Sequence, residues 1–218
     1  MWINLHTHLD RGSTDTIEVC QWNVLSPKMP LKNKISVYSV GLHPSDALMW
    51  NHERKQKMHA MIDKSNVAFI GEIGLDASIG VALDVQKTVF SDQLSLASNN
   101  SLPVILHMVK CYDVLLQIKK HYQQIPAWVI HGFRGKPELM KQLLDHGFYL
   151  SFGTKFNEES LKRCPLDRLF LETDVHEQSL KDLYEKTAVM KGCDDRVLKA
   201  AIFSNFKDIT GYKKASIT

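Results

Sequence analysis

The sequence predicts an α/β fold, a TIM-type (β/α)8 barrel in shortened form, on three observations. Short runs rich in Val, Ile, Leu and Phe recur near 2–8, 16–24, 35–42, 67–74, 103–108, 127–132, 148–152 and 168–173. Amphipathic helical stretches near 45–64, 83–100, 112–123, 136–146, 157–163, 180–191 and 194–207 follow most of them, and this alternation calls for parallel strands. Polar residues repeatedly end the apolar runs, at the carboxyl ends of strands where such a barrel builds its active site.

The first strand opens with Trp2-Ile3 and runs into Asn4-Leu5-His6-Thr7-His8, where period-two alternation points His6 and His8 to one face. The gaps 9–15 and 25–34 are too short for a crossover helix and contain Gly12, Pro27 and Pro30, so the first crossover helices are expected to be missing or reduced. Strand three closes on Gly41-Leu42-His43-Pro44, and strand four on Gly71-Glu72-Ile73-Gly74-Leu75-Asp76. In the helix of 83–100, Leu83, Phe90, Leu94 and Ala97 share a face. Pro103-Val104-Ile105-Leu106 ends on His107, Trp128-Val129-Ile130 on His131, and Leu169-Phe170-Leu171 on Glu172-Thr173-Asp174. No repeat, low-complexity tract or linker divides the chain, so one domain over 1–218 is expected, short against the roughly 250 residues usual for such a barrel.

Composition narrows the function. With 44% hydrophobic and 23% charged residues the balance is globular, which excludes the disordered and fibrous classes. A net charge of +3 suits an anionic substrate but falls far short of a protein that coats nucleic acid. Cys20, Cys111, Cys164 and Cys193 are widely spaced and no secretory leader precedes His6, so reduced thiols and a cytoplasmic location are expected. No run approaches the roughly 18 apolar residues of a membrane span. There is no Gly-x-Ser-x-Gly, P-loop or dinucleotide fingerprint, which leaves serine-nucleophile, nucleoside-triphosphate and nicotinamide chemistry without support.

A solvated loop end accounts for any one of the polar strand ends, but together they form a pattern. Imidazoles and carboxylates from separate strands, meeting at one mouth, suit a pair of divalent cations with a carboxylate able to bridge them. His52, His59, His121 and His146 lie in charged helical stretches and are read as solvated, while His176, just beyond strand eight, is a candidate for the mouth.

The ordered set of His6-x-His8, the hexapeptide from Gly71 to Asp76, His107, His131 and Glu172-Thr173-Asp174 resembles the motif series of TatD-type metal-dependent hydrolases, within the amidohydrolase-like barrels. The resemblance runs from residue 2 to about 176 and is loose beyond it. It implies hydrolysis with two divalent metal ions, such as Mg, Mn or Zn. Members are mostly described as deoxyribonucleases, some as deacylases acting on aminoacyl-tRNA. Position by position, it implies that His6, His8 and Asp174 hold one metal and His107 and His131 the other, with Glu72 bridging. His43 would face a substrate phosphate. Glu172 matches a position associated with nuclease activity, which makes Glu72, Asp174 and Glu172 the catalytic candidates. On a regular strand Glu172 and Asp174, two apart, would both point into the site.

Several positions depart from the family pattern. Asn4 stands where an aspartate is usual. Val109 stands two residues after His107, where an arginine is usual, with Lys110 beside it. Arg134 replaces a common serine and, like Lys110, is a candidate phosphate contact. Val175-His176 follows Asp174 in place of a Ser-Pro pair. The expected partner is DNA or another phosphate-bearing substrate, cleaved by a two-metal activated water. The alternatives are a hydrolase of an ester, amide or small phosphoester on the same fold, or a catalytically inactive metal-binding protein acting through partners.

Overall fold

β1 (Trp2–Thr7) pairs in parallel with β2 (Thr16–Asn23), and each later strand adds beside its predecessor. The computed structural model describes residues 1–9, 11–27, 37–64 and 66–212. β3 (Val37–Gly41), β4 (Val67–Asp76), β5 (Val104–Val109), β6 (Trp128–Ile130), β7 (Tyr149–Phe152) and β8 (Leu169–Leu171) complete an eight-stranded sheet in chain order. Its edges meet at an isolated parallel bridge between Thr7 and Asp174. There the Asp174 amide donates to the His6 carbonyl at 3.0 Å and the His8 amide to the Asp174 carbonyl at 3.3 Å, giving the nearly closed barrel that the sequence predicts. Parallel strands are covered on both sides, which is why Val104-Ile105-Leu106 is continuously apolar and wholly buried.

The helices are α1 (His52–Ile62), α2 (Leu83–Asn99), α3 (Tyr112–Lys119), α4 (Pro137–Asp145), α5 (Glu158–Arg163), α6 (Leu180–Lys191) and α7 (Asp195–Thr210). The single helix expected over 45–64 is broken. A 3-10 turn covers Pro44–Met49, and α1 starts only after Asn51, whose side chain accepts the Arg54 amide as an N-cap. Trp50 between them is extended, and its indole donates to Asp92 on α2. Between β1 and β2 the described residues contain no helix, as expected; residues 28–36, which include most of the second short gap and the start of the strand expected at 35–42, lie outside the described residues. No helix among the described residues is long and apolar enough to cross a membrane.

Two features of the helical layer set the strand ends. α2 buries Phe90, Leu94 and Ala97 as its spacing predicts, and it also buries Gln86 and Gln93, seven residues apart. Gln93 accepts from the Leu42 amide at 2.7 Å and donates to the Leu42 carbonyl at 3.1 Å; Gln86 does the same for Asp76 at 2.8 and 3.0 Å. Buried amides with both ends satisfied act as clamps, here on the carboxyl ends of β3 and β4 beside His43 and Glu72. On the far side the Tyr184 hydroxyl of α6 donates to the Ile3 carbonyl at 2.9 Å, and Asn205 of α7 donates to the Leu169 carbonyl at 3.0 Å.

Candidate metal centre

Glu72 lies where the pairing of β4 with β5 shifts register between Ile70 and Ile73, an irregularity that re-aims side chains beside a site. Gly74, at φ +155, has a backbone that L side chains rarely adopt, and a Cβ there would collide with the His107 carbonyl. That glycine lets β4 and β5 approach closely, which brings Glu72 against His107. The Glu72 amide donates to Gln21 Oε1 on β2 at 2.7 Å. β1 also shifts register, between Asn4 and Thr7, and ends before His8, so His6 and His8 do not share a regular strand face. Their rings nonetheless converge, centroids 5.1 Å apart.

The carboxylate of Glu72 divides the histidines into two sets. Its Oε2 faces His6 Nε2 at 3.3 Å and His8 Nε2 at 3.6 Å, while its Oε1 faces His131 Nε2 at 2.8 Å, His107 Nδ1 at 2.9 Å and His43 Nε2 at 3.6 Å. Asp174 Oδ1 joins the first set, 3.7 Å from His6 Nε2 and 3.5 Å from His8 Nε2. Among the described residues, three groups of potential ligand atoms lie close enough for an ion: His6, His8 and Asp174; His6, Glu72 and His131; and His43, Glu72 and His107. His6 tests whether a metal fits. Its ring is wholly buried and neither nitrogen makes a hydrogen bond, an expensive arrangement for a polar group unless its lone pair meets a cation. A donor set of imidazole nitrogens and carboxylate oxygens is chemically suited to divalent transition metals, so the residues fit the group.

Two of the imidazoles are backed by a second carboxylate. His107 Nε2 lies 3.0 Å from Asp76 Oδ2, and Asp76 is itself anchored through Oδ1 by the Ser78 amide at 2.8 Å and hydroxyl at 2.5 Å. His131 Nδ1 lies 3.1 Å from Glu172 Oε1, which also accepts the Gly132 amide at 2.7 Å. With a cation bound, an N–H given to the outer carboxylate would leave the other ring nitrogen as a lone pair for the ion, which selects the Nδ1 face of His107 and the Nε2 face of His131.

Burial opposes the charge on Glu72, but His131 and the hydrogen bonds from His107 and His131 outweigh it and hold the carboxyl well below its ordinary range. Burial likewise opposes charge on His131, while Glu72 and Glu172 carry it well above the usual imidazole value. His43 goes the other way: burial lowers it against the pull of Glu72, keeping the ring neutral. The Glu72 carboxylate is thus favoured in its charged form in a buried place, where it attracts a cation.

The structure brings His6, His8, His43, Glu72, His107, His131 and Asp174 together. Glu172 does not reach the cavity. β8 ends at Leu171 and Asp174 takes a left-handed φ of 53, so the regular alternation expected to turn both carboxylates into the mouth is lost; Glu172 turns behind His131 and is fully buried. Val109, Lys110 and Arg134 do line the cavity, which measures about 1140 Å3. His176 is not part of its wall, and its carbonyl instead accepts the Arg11 guanidinium at 2.7 Å. His52, His59, His121 and His146 are exposed, as expected. Asn4 answers a local demand: its Nδ2 donates to the buried Glu18 and to the Thr173 hydroxyl, each at 2.9 Å, and its Oδ1 accepts the Thr173 amide at 2.9 Å. Asp76, Gln21 and Glu18 join the site without a role expected from the sequence. Asp76 was visible as the acidic end of an apolar strand; the other two carried no signal beyond a polar residue in a short β run.

A model of the TatD related DNase family matches residues 21–211. Among curated proteins, the uncharacterized metal-dependent hydrolase YabD of Bacillus subtilis is 33% identical over 145 residues, 62% of this chain and 57% of that protein. The 3'-5' ssDNA/RNA exonuclease TatD of Cronobacter turicensis is 32% identical over 160 residues, 69% of this chain and 61% of that protein. The matched part of the chain thus spans about three-fifths of the length of these relatives. Among solved structures, the TatD homolog YjjV from Escherichia coli K12 superposes with a TM-score of 0.83 at 18% identity, covering 97% of this chain and 98% of that one. A TatD family hydrolase from Entamoeba histolytica gives 0.77 at 18% identity, covering 96% and 97%. At such identities the likeness speaks to the fold.

Proposed function

The chain belongs to the TatD related DNase family, and from that premise we propose that it is a divalent-metal-dependent hydrolase of phosphodiester bonds in DNA. The observation that supports this most is the two-sided carboxylate of Glu72, with one oxygen towards His6 and His8 and the other towards His107 and His131. His6, His8 and Asp174 would hold one cation, His107 and His131 the other, and Glu72 both; His43, facing the same oxygen as His107 and His131, is a further candidate on that side. Bound there, divalent cations supply Lewis acidity and a water of pKa lowered towards about 7.

Asp174, partly open to the cavity, orients the attacking water and takes its proton at a carboxylate oxygen. Lys110 and Arg134 line the same cavity and contact the phosphate, Arg134 by its planar fork. Glu172 and Asp76 act through His131 and His107 as positioning residues, holding each ring in one tautomer. The name of the Cronobacter relative extends the candidate substrates to single strands of DNA and RNA. Val109 in the cavity wall favours a second reading, a hydrolase of a smaller or uncharged ester, because a valine contributes no charge to a phosphate clamp.

Assays on single-stranded DNA, mononucleotides and p-nitrophenyl esters, with and without added Mg, Mn or Zn, separate these readings. We expect metal-dependent release of nucleotides, abolished by Glu72→Gln with the melting temperature retained. Ester hydrolysis with no turnover of DNA would replace the first reading by the second, and turnover that survives the Glu72 change would remove the centre from the reaction.

A further inference from the structure

We propose that the side-chain amides of Gln21 and Asn23 form a hydrogen-bond donor edge that holds the carbonyl oxygens of a nucleobase beside the metal centre. This rests on the nucleic-acid reading above. The two residues stand two apart at the carboxyl end of β2, on one face, and both line the cavity. Each already has its carbonyl oxygen in use. Gln21 Oε1 accepts from the Glu72 amide at 2.7 Å and the Ser39 hydroxyl at 3.1 Å, and Asn23 Oδ1 accepts from the Leu25 amide at 2.8 Å.

A backbone N–H can only donate, so neither side-chain amide can turn over without losing that bond, and both orientations are determined by the network. Among the described residues neither Gln21 Nε2 nor Asn23 Nδ2 meets an acceptor, and neither nitrogen is sealed from solvent. The β2 side of the cavity therefore presents two NH2 groups with their oxygens turned away.

Charge decides what they hold. Lys110 and Arg134 follow β5 and β6, on the opposite side of the barrel, and suit phosphate. The β2–β3 side of the wall carries Asp46 instead, which would repel a phosphate but not a neutral carbonyl. A free Asn or Gln reads adenine by using both ends of its amide; with one end occupied, only donors remain, and they match a base that offers carbonyl oxygens, such as thymine through O4 and O2.

The test is fluorescence anisotropy on the full chain in EDTA, with labelled oligothymidylate and an abasic strand of the same length and phosphate number. The wild type is expected to bind oligothymidylate about tenfold more tightly than the abasic strand. Asn23→Asp and Gln21→Glu keep an oxygen on the same backbone N–H and replace only the NH2 group; circular dichroism verifies their fold. Their added charge weakens both strands alike, so the expected signature is a preference ratio that falls to about one. A ratio unchanged in both variants overturns the inference, as does a wild type that binds the two strands equally. A wild type that binds neither strand sinks the nucleic-acid reading first and this inference with it.

Discussion

Glu172 stands directly behind His131, its Oε1 3.1 Å from the ring Nδ1 and shared with the Gly132 amide at 2.7 Å. Truncation to alanine strands that amide and removes the anchor on the Nδ1 side of the ring. Glu172→Ala should therefore cost about 1–3 kcal/mol in urea denaturation. It should also weaken divalent-metal binding about 10- to 100-fold by titration calorimetry. Unaltered metal affinity would make Glu172 a purely structural acid.

Asn4 predicts a reversal of the usual intuition that returning to a family's residue is harmless. Asn4→Asp is nearly isosteric, but it replaces the N–H donor 2.9 Å from Glu18 Oε2 with an oxygen, and Glu18 is 2% exposed. Two facing carboxylates in that setting force one to take up a proton or lose its hydrogen bond. The variant should be about 2–3 kcal/mol less stable at neutral pH, with the deficit shrinking as acid protonates the pair. The double change with Glu18→Gln should recover most of the loss; a destabilisation that persists there would place its origin elsewhere.

Chelation should soften the whole barrel. The candidate ligands come from β1, β4 and β5 and from His8, His131 and Asp174 just after β1, β6 and β8, so an ion that binds only the folded state would stabilise these elements together. At a hundredfold excess over Kd this amounts to about 2.7 kcal/mol, or a melting temperature roughly 5–10 °C above that in EDTA. Equal melting curves with Mn, Zn and EDTA would speak against a bound ion.

Val109 sits in the cavity wall at the last position of β5. Val109→Arg supplies a charge-assisted contact worth roughly 1.5–3 kcal/mol, so turnover of DNA should rise about tenfold or more while that of a small uncharged ester stays level. If DNA turnover does not rise, Lys110 or Arg134 already fills that role.

How far the sequence could be read follows from where each signal lies. Apolar runs are local features and marked the eight strands, and the six that end in histidine or carboxylate marked the histidines and the Asp174 carboxylate that gather at Glu72. The break at Trp50 was hidden because the residues on both sides have helical character, and an indole bond to the distant Asp92 decides the matter. Glu172 was misdirected because alternation assumes a regular strand, whereas β8 lasts three residues and Asp174 is left-handed. Gln86 and Gln93 were invisible as clamps, since a glutamine on a helix is ordinarily solvated and only the tertiary contact to Leu42 and Asp76 gives it a task.

The bridge between Thr7 and Asp174 joins the two edges of the sheet through the backbones of His6, His8 and Asp174. Residues that close the ring are the same ones that face the centre. Without residue 174, His6, His8, Glu72, His107 and His131 are all present, but the backbone bridge that seats Thr7 against the end of the last strand is missing. Closing the sheet and completing the set of groups around Glu72 are therefore one event, since both wait on the same residue.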